Sequence, residues 1–153
     1  MTDTLHQTPY IGTHLLLIKE GKLLLQKRKG QFTGGFYCPV AGHVDKGEGV
    51  VDALIRETKE EADITLNKDK LKIVCMAHLL NAPYKGTRAD IINYFILTDT
   101  YEGEIKNLEP DKTESLAFYD LNDLPKPLMG FVDKAIKAYK KGEYYIVIDY
   151  LTE

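Results

Sequence analysis

The 153-residue chain has only two cysteines, no long apolar run and no excess of positive charge, and each scarcity excludes a class of protein. Cys38 and Cys75 do not imply a disulfide framework, so a reducing compartment is expected. Uncharged apolar runs such as Leu15–Ile18 are too short to span a bilayer, and Met1–Leu5 lacks the basic and apolar regions of a signal peptide. We therefore expect a cytoplasmic protein with no membrane partner.

Positive charge is scarce as well, because 20 Lys and Arg against 23 Asp and Glu give a formal net charge of −3. Proteins that bind nucleic acid polymers neutralise phosphates with basic side chains, so such a polymer is not an expected partner. If this chain handles phosphates, we expect it to do so locally, with a metal ion. The composition, 44% hydrophobic and 28% charged, and the length suit one globular domain over residues 1–153.

Hydrophobic patterning predicts an α+β fold with a mixed sheet between helices. The first two strands are expected to form a hairpin at Glu20-Gly21, and the turn-rich Asn81–Gly86 is expected to separate two later strands. The last predicted strand, Tyr144–Tyr150, is an edge that could pair across a homodimer. The other predicted strands are Tyr10–Lys19, Lys22–Lys27, Phe36–Ala41, Leu71–Leu80, Ile91–Asp99 and Ser115–Tyr119, and the predicted helices are Gly49–Ala62 and Leu128–Lys141.

The first predicted helix carries three carboxylates on one face. Glu57, Glu60 and Glu61 stand at i, i+3 and i+4, where like charges repel one another. The nearby basic residues, Arg56 and Lys59, are expected to point away from that face. A hard divalent cation such as Mg²⁺ would turn the repulsion into attraction, because it takes oxygen ligands and keeps several waters. On the helix alone, a charged solvent-exposed face explains the pattern slightly better than a metal site does.

The wider segment Gly42–Ile64 resembles the signature of the Nudix hydrolase family, G-x5-E-x7-R-E-U-x-E-E-x-G-U, where U is a bulky apolar residue. With roughly 1 in 16 for each of six fixed matches, a chance hit is on the order of 10⁻⁵. Thr58 departs from the pattern at an apolar position, and Asp63 replaces the closing glycine, so small packing and backbone costs are expected there. The matching residues are Gly42, Glu48, Arg56, Glu57, Glu60, Glu61 and Ile64.

The resemblance implies a Nudix-type α/β/α sandwich with a metal-dependent active site. Glu48 and Arg56 would orient the carboxylates and brace the loop against the helix. The family's reaction is attack by water on a phosphorus of a diphosphate joined to another group. A bound metal would neutralise the diphosphate and acidify the water, while a carboxylate accepts its proton. The residues that would hold Mg²⁺, or Mn²⁺ in its place, are Glu57, Glu60, Glu61 and Gly42 through its backbone carbonyl.

Further candidates lie outside this segment. Glu109 could be a fourth carboxylate, as a metal ligand or a base, with an exposed loop acid as an equal alternative. Lys27 and Arg28 end a predicted strand beside the expected phosphate position, although basic residues there are usually only solvated. For His43, next to Gly42, an ordinary polar loop residue is the simpler interpretation than contact with substrate. The aromatic residues that could stack on a nucleobase are Phe32, Phe36 and Tyr84.

The leading functional prediction is hydrolysis of a nucleoside triphosphate, ribo or deoxy, to a monophosphate and pyrophosphate. Pro125–Met129 lacks the Asn or Asp pair that oxidised-guanine sanitisers use near this place. Hydrolysis of ADP-ribose or another nucleoside diphosphate sugar is the alternative, although Pro83 and Tyr84 lie slightly too far from Ile64 for the usual marker. Two alternatives are not enzymes: a Nudix-fold module that binds a nucleotide without cleaving it, and an acidic helix that only supports an interaction surface.

Overall fold

The computed structural model describes residue 6 and residues 8–152, which form eight strands, two α-helices and one short 3₁₀ helix. This arrangement confirms the predicted α+β class. None of the helices in these residues is long and apolar enough to cross a membrane. The strands are β1 (Tyr10–Lys19), β2 (Lys22–Arg28), β3 (Tyr37–Cys38), β4 (Ala41–His43), β5 (Lys72–Tyr84), β6 (Thr87–Thr98), β7 (Thr113–Asp120) and β8 (Tyr145–Asp149). The helices are α1 (Val50–Ala62), α2 (Gly130–Lys140) and the 3₁₀ helix Lys68–Lys70.

The β1–β2 hairpin forms where the sequence predicts it. Its turn residues, Glu20 and Gly21, both have positive φ, 52° and 75°, and two such residues in succession match the twist of a tight hairpin. Leu23, Leu24 and Leu25 of β2 are all buried. A strand covered on both faces reads as a continuous apolar run, which explains the sequence pattern here.

One mixed sheet joins the eight strands. β1 pairs in parallel with β6, while β4 pairs antiparallel with its Gly12–His14 stretch and β2 pairs with its end at Ile18 and Lys19. Beyond β6, β5 is antiparallel and β8 is parallel to β5 at the edge, as predicted for an edge strand. β3 and β7 both pair antiparallel with β2.

Each face of the sheet carries one α-helix, so the expected α/β/α sandwich is confirmed. Leu15 and Leu17 of β1 pack in one core with Leu54 of α1. Leu16, between them, packs in the other core with Val132 of α2. Successive side chains of a strand point to opposite faces, so one buried run of leucines serves both cores.

The predicted strand Phe36–Ala41 is wrong in one respect, because it is two short strands, β3 and β4. Pro39 has no N–H to donate to a sheet ladder, which ends β3. The carbonyl of Val40 then accepts a hydrogen bond from the N–H of Leu15 at 2.9 Å. The chain thus changes partners from β2 to β1, and this change places Gly42 beside α1.

The predicted turn Asn81–Gly86 is also shorter than expected, because β5 and β6 run on into it and leave only Lys85-Gly86 as the turn. Asn81 has a φ of 57°, but it lies at a bulge where the register between the two strands shifts. The carboxylate of Asp90 accepts the N–H of Asn81 at 2.8 Å. A turn-forming residue here marks a bulge, and the hairpin extends past it.

Candidate active site

A cleft of about 970 Å³ crosses the sheet from β4 to β5. The strands it crosses are β4, β1, β6 and β5 in that order, and neighbouring strands lie about 4.8 Å apart, so β5 is roughly 14 Å from β4. We name the two sides by their residues. The carboxylate end contains Glu57, Glu60, Glu61 and Glu109, and the apolar end contains Leu79, Ile91, Met129 and Phe131.

Arg56 is the centre of a hydrogen-bond network beside the carboxylate end. Its Nε and Nη2 donate to the two carboxylate oxygens of Glu48 at 2.8 and 2.9 Å, a bidentate pair. This pair holds the pKa of Glu48 well below its usual range, at about 2. Nη1 donates to Glu57 at 2.9 Å and to Glu60 at 3.4 Å. The expectation that Arg56 points away from the acidic face is therefore wrong, since its long side chain reaches back to both carboxylates.

Gly42 lies directly against α1. A side chain at this position would collide with the carboxylate of Glu57. The helix comes this close because Thr13, which pairs with Gly42 across the β1–β4 ladder, donates a hydrogen bond from Oγ1 to the carbonyl of Val50 at 3.0 Å. Glycine therefore allows the β4 backbone and the Glu57 carboxylate to approach each other, which accounts for the first residue of the signature.

Glu61 keeps a carboxylate oxygen that nothing in the described chain satisfies. Its Oε2 is buried without a hydrogen-bond partner among those residues, while the N–H of Ala41 donates to the carboxylate. Burial, with the negative charges of Glu109 and Glu57, raises the pKa of Glu61 to about 8 against the opposing effect of Arg28. Burial also raises the pKa of Glu57. A cation placed here would stabilise the ionised form of both groups.

The carboxylate end has the donor chemistry of a magnesium site without a preformed ligand cage. Within residues 8–152, no three side chains of His, Cys, Asp or Glu converge closely enough to hold an ion as they stand. Arg56 instead holds Glu57 and Glu60. The oxygen donors, the unpaired Oε2 of Glu61 and the two raised pKa values fit a hard cation that keeps several waters. The residues fit Mg²⁺ by chemistry, and their convergence would accompany its binding.

The structure separates the two basic residues at the end of β2. Arg28 lines the cleft, whereas Lys27 is not among the lining residues. Adjacent strand residues point to opposite faces, and Lys27 pairs with Glu114 at 3.4 Å and lies over the ring of Tyr37. Lys112 also lines the cleft. Sequence reasoning missed it, because a lysine in a charged loop carries no distinguishing pattern.

Glu109 lies in the cleft with the helix carboxylates, and its charge acts on Glu61 and Glu57. Its loop is held by Asn107, whose Oδ1 accepts the N–H of Glu109 at 3.1 Å. The other lining residues that the sequence singled out are His43, Phe32, Phe36 and Tyr84.

A buried polar pair, which sequence reasoning also missed, lies on the floor of the cleft. His14 Nε2 is 2.8 Å from Asn93 Oδ1, although the two residues are 79 positions apart in the chain. The imidazole stacks on Phe95 with ring centroids 4.7 Å apart. Burial lowers the pKa of His14 to about 4. The sequence shows only that His14 is a polar residue directly before the apolar run Leu15–Ile18, and it gives no indication that Asn93 lies beside it.

Comparisons with known proteins agree with this fold. The NUDIX domain family model matches residues 10–139. Over 138 residues, the chain is 32% identical to an ADP-ribose pyrophosphatase of Methanocaldococcus jannaschii, covering 90% of this chain and 76% of that protein. It is 25% identical to an NAD-capped RNA hydrolase, NudC of Pseudomonas putida, but spans only 37% of that protein and 72% of this chain. The crystal structure of a MutT NUDIX hydrolase from Burkholderia pseudomallei matches with a TM-score of 0.75 and 28% identity, covering 86% of this chain and 98% of the other.

Proposed function

This chain belongs to the Nudix hydrolase family, whose members act on pyrophosphate bonds, and we propose that it hydrolyses a diphosphate linkage in a small nucleotide with bound Mg²⁺ or Mn²⁺. The carboxylate end of the cleft carries the proposal, because Glu61 keeps a buried unpaired oxygen there beside Glu57 and Glu109. The cleft is also large enough for a nucleotide.

The metal ion would be held at the junction of β4 and α1. When bound, it would neutralise charge on the diphosphate and make a water molecule more acidic. Glu48 fixes the guanidinium of Arg56, which in turn restrains the helix carboxylates. Such outer partners orient ligands and tune their affinity. The residues that would hold the ion are Glu57, Glu60, Glu61 and the carbonyl of Gly42.

The remaining steps fall to side chains around the substrate. Arg28 and Lys112 line the cleft and would bind phosphate oxygens. As the water oxygen bonds to one phosphorus, Glu109 would accept the water proton. The bond from that phosphorus to the bridging oxygen breaks, and the bridging oxygen leaves with the second phosphate. Asn107 fixes the loop by donating from Nδ2 to the carbonyl of Thr113 at 2.7 Å.

Two nucleotides are candidate substrates for this reaction. A nucleoside triphosphate, ribo or deoxy, would give a monophosphate and pyrophosphate. ADP-ribose would give AMP and ribose 5-phosphate, and one observation favours it: the relative from M. jannaschii that aligns with 90% of this chain is named an ADP-ribose pyrophosphatase. The products distinguish the two reactions.

The decisive experiment is product analysis with a panel of nucleotides in Mg²⁺, in Mn²⁺ and in EDTA. The panel contains normal and oxidised deoxynucleoside triphosphates, ribonucleoside triphosphates, ADP-ribose and dinucleoside polyphosphates. We expect metal-dependent release of pyrophosphate from a triphosphate or of ribose 5-phosphate from ADP-ribose. Glu60→Gln and Glu61→Gln are the control variants, and we expect each to lose most turnover while keeping the fold.

Two results would contradict the proposal. Turnover that persists in EDTA, or in both glutamine variants, would remove the carboxylate end from the reaction. A chain that Mg²⁺ stabilises against heat but that cleaves none of the panel would favour the module that binds without hydrolysis.

A further inference from the structure

A buried polar pair lies between the two ends of the cleft and has no part in the hydrolysis proposed above. His14 of β1 and Asn93 of β6 are 7% and 4% exposed, and both line the cleft. Burying polar groups costs free energy unless they are hydrogen-bonded. Their mutual hydrogen bond, 2.8 Å long, satisfies one atom of each residue and leaves the others to be explained.

The acceptor fixes the direction of this hydrogen bond. The amide oxygen of Asn93 can only accept, so Nε2 of His14 carries the proton and donates it. Nδ1 of His14 is buried without a partner in the described chain, and a buried nitrogen is tolerated better as a lone pair than as an unpaired N–H. The lowered pKa of His14, about 4, agrees with a neutral ring at pH 7.

Because Oδ1 of Asn93 accepts from His14, the amide nitrogen of Asn93 is available to donate a hydrogen bond. With Oδ1 bonded to His14, the Nδ2 group is the polar end of Asn93 that remains for a ligand in the cleft, which Asn93 lines. Gly12 makes room for the amide, because any side chain there would collide with Oδ1 of Asn93. The surrounding lining is apolar and aromatic, formed by Leu79, Ile91 and Phe131. The result is one amide NH₂ group, which can donate, beside apolar and aromatic side chains that could pack against a flat ring.

We propose that Asn93 is a specificity-determining residue that donates a hydrogen bond to an acceptor atom of the substrate's nucleobase, and that His14 is the positioning residue that fixes its amide. Every nucleobase presents ring nitrogens or carbonyl oxygens at its edge. Because β6 lies two strands from β4, roughly 10 Å away, there is room for a ribose between the diphosphate and the base. The inference rests on the proposed function, since it takes a nucleotide as the ligand.

The test is calorimetric binding of AMP, GMP, CMP and UMP in EDTA, with ribose 5-phosphate as the ligand without a base. Asn93→Leu should weaken the tightest of the four by about 10-fold and leave ribose 5-phosphate unchanged. Asn93→Asp presents a charged acceptor instead of a donor and should weaken it further. Asn122→Leu, the same change at an exposed loop position outside the cleft, is the matched control and should bind like the parent.

The test of His14 must distinguish positioning of the Asn93 amide from a general contribution to folding. His14→Phe should reproduce the loss seen in Asn93→Leu, whereas His14→Gln offers an amide N–H in place of Nε2–H and should restore most of the binding. In turnover assays, the His14→Phe and Asn93→Leu variants should raise KM for the preferred nucleotide while kcat stays within about twofold. Melting curves of each variant confirm that the protein is folded.

Three results would overturn the inference. Parent-like binding by Asn93→Asp would show that the base offers a donor to this residue. Equal weakening of ribose 5-phosphate in Asn93→Leu would show that the pair acts through the fold. A parent protein that binds none of the four monophosphates would remove the base site altogether. Absence of turnover alongside base-dependent binding would overturn the hydrolysis proposal and leave this one standing.

Discussion

The two ends of the cleft differ in how the chain builds them. The carboxylate end comes largely from one stretch, Gly42–Ile64, in which a loop and a helix bring the glutamates and Arg56 together. The apolar end and the polar pair beside it come from β1, β5, β6 and α2, with contributors as distant as His14 and Phe131. Most of the carboxylate end is thus encoded in one local segment, whereas the apolar end and the polar pair depend on tertiary contacts between distant parts of the chain.

The largest expected effect tests whether the chemistry is confined to the carboxylate end. Glu61→Gln removes a charge at the buried position where Oε2 lacks a partner, and we expect kcat to fall roughly 100-fold or more. The metal-free fold should be kept, because the raised pKa of Glu61, about 8, leaves it protonated at neutral pH, and glutamine is a close neutral match in size and shape. Steady-state kinetics on the preferred nucleotide and a melting curve measure both effects.

Glu104→Gln is the matched control, because it neutralises an exposed carboxylate that is not among the cleft residues. It should leave kcat unchanged. If Glu61→Gln and Glu104→Gln had the same kcat, the proposal that catalysis depends on the carboxylate end would be contradicted. If Asn93→Leu lowered kcat as much as Glu61→Gln does, the proposed separation between binding at the polar pair and chemistry at the carboxylate end would also be contradicted.

The same division explains how much the sequence predicts. The helical spacing of Glu57, Glu60 and Glu61 and the fixed distance to Gly42 survive folding, because a loop–helix segment keeps its internal geometry. The pairing of His14 with Asn93 depends on which strands become neighbours, and a single sequence contains no measure of that. The hairpin at Glu20-Gly21 was predictable for the same local reason, since its turn chemistry is contained in two residues.

Two predictions from the sequence were wrong, the length of the turn that begins at Asn81 and the direction of the Arg56 side chain. In both, contacts with other parts of the structure outweighed the local preference. Asn81 has a turn-forming conformation, yet the ladder between β5 and β6 continues past it, because pairing on both sides outweighs one left-handed residue. Arg56 was expected to point away from the acidic face by its angular position on the helix. Its side chain is long enough to fold back, and the attraction of four carboxylates determines its direction: Asp45, Glu48, Glu57 and Glu60.

Arg56→Ala should sharpen the comparison by affecting stability and rate together. The variant removes the partner of Glu48 and the restraint on Glu57, so kcat should fall roughly 10- to 100-fold. The network is about a third exposed at Arg56, so solvent screening limits the stability loss to about 1 kcal/mol. Chemical denaturation and kinetics measure both quantities. Arg56→Lys keeps the charge without the bidentate geometry and should recover less than half of the lost activity; full recovery would contradict the bracing role.

A metal-free melting series against pH tests the charge state of the carboxylate end. The pKa of Glu61 is raised in the folded protein from 4.5 to about 8, so the folded state binds this proton more tightly than the unfolded state does. Its contribution to stability is complete below pH 4.5 and is lost as pH rises to 8. We therefore expect the melting temperature to fall across this range, and Glu61→Gln to flatten the slope.

The same melting series with Mg²⁺ present measures how much the bound ion stabilises the folded protein at each pH. At 100 times its dissociation constant, a ligand of the folded state adds about 2.7 kcal/mol. This gain should be larger at pH 8 than at pH 6, because protons compete with the ion for Glu61. A slope unchanged by both Mg²⁺ and Glu61→Gln would show that other groups cause it.

Thr58→Val should stabilise the protein without touching either end of the cleft. Thr58 is fully buried, and its Oγ1 has no hydrogen-bond partner in the described residues. Valine has nearly the same shape and removes the unsatisfied hydroxyl, so the free energy of unfolding should rise by about 1 kcal/mol. Denaturant unfolding measures the change, and kcat should stay at the parent value. A loss of stability would mean that the hydroxyl has a partner, such as a buried water.

The smallest expected effect comes from the other departure within Gly42–Ile64. Asp63 ends α1 in the left-handed conformation, with φ 58° and ψ 26°, so the position does need the positive φ that glycine adopts freely. Asp63→Gly relieves that strain but loses the exposed ion pair with Lys59, 2.9 Å long. Exposed pairs contribute little, so the melting temperature should rise by about 1–2 °C with kcat unchanged. Asp63→Asn keeps a residue that tolerates this conformation and removes only the charge, so it should melt at or slightly below the parent temperature. If the glycine variant melts no higher than the asparagine variant, the left-handed conformation costs this chain nothing, and the departure from the signature is neutral for folding as well as for chemistry.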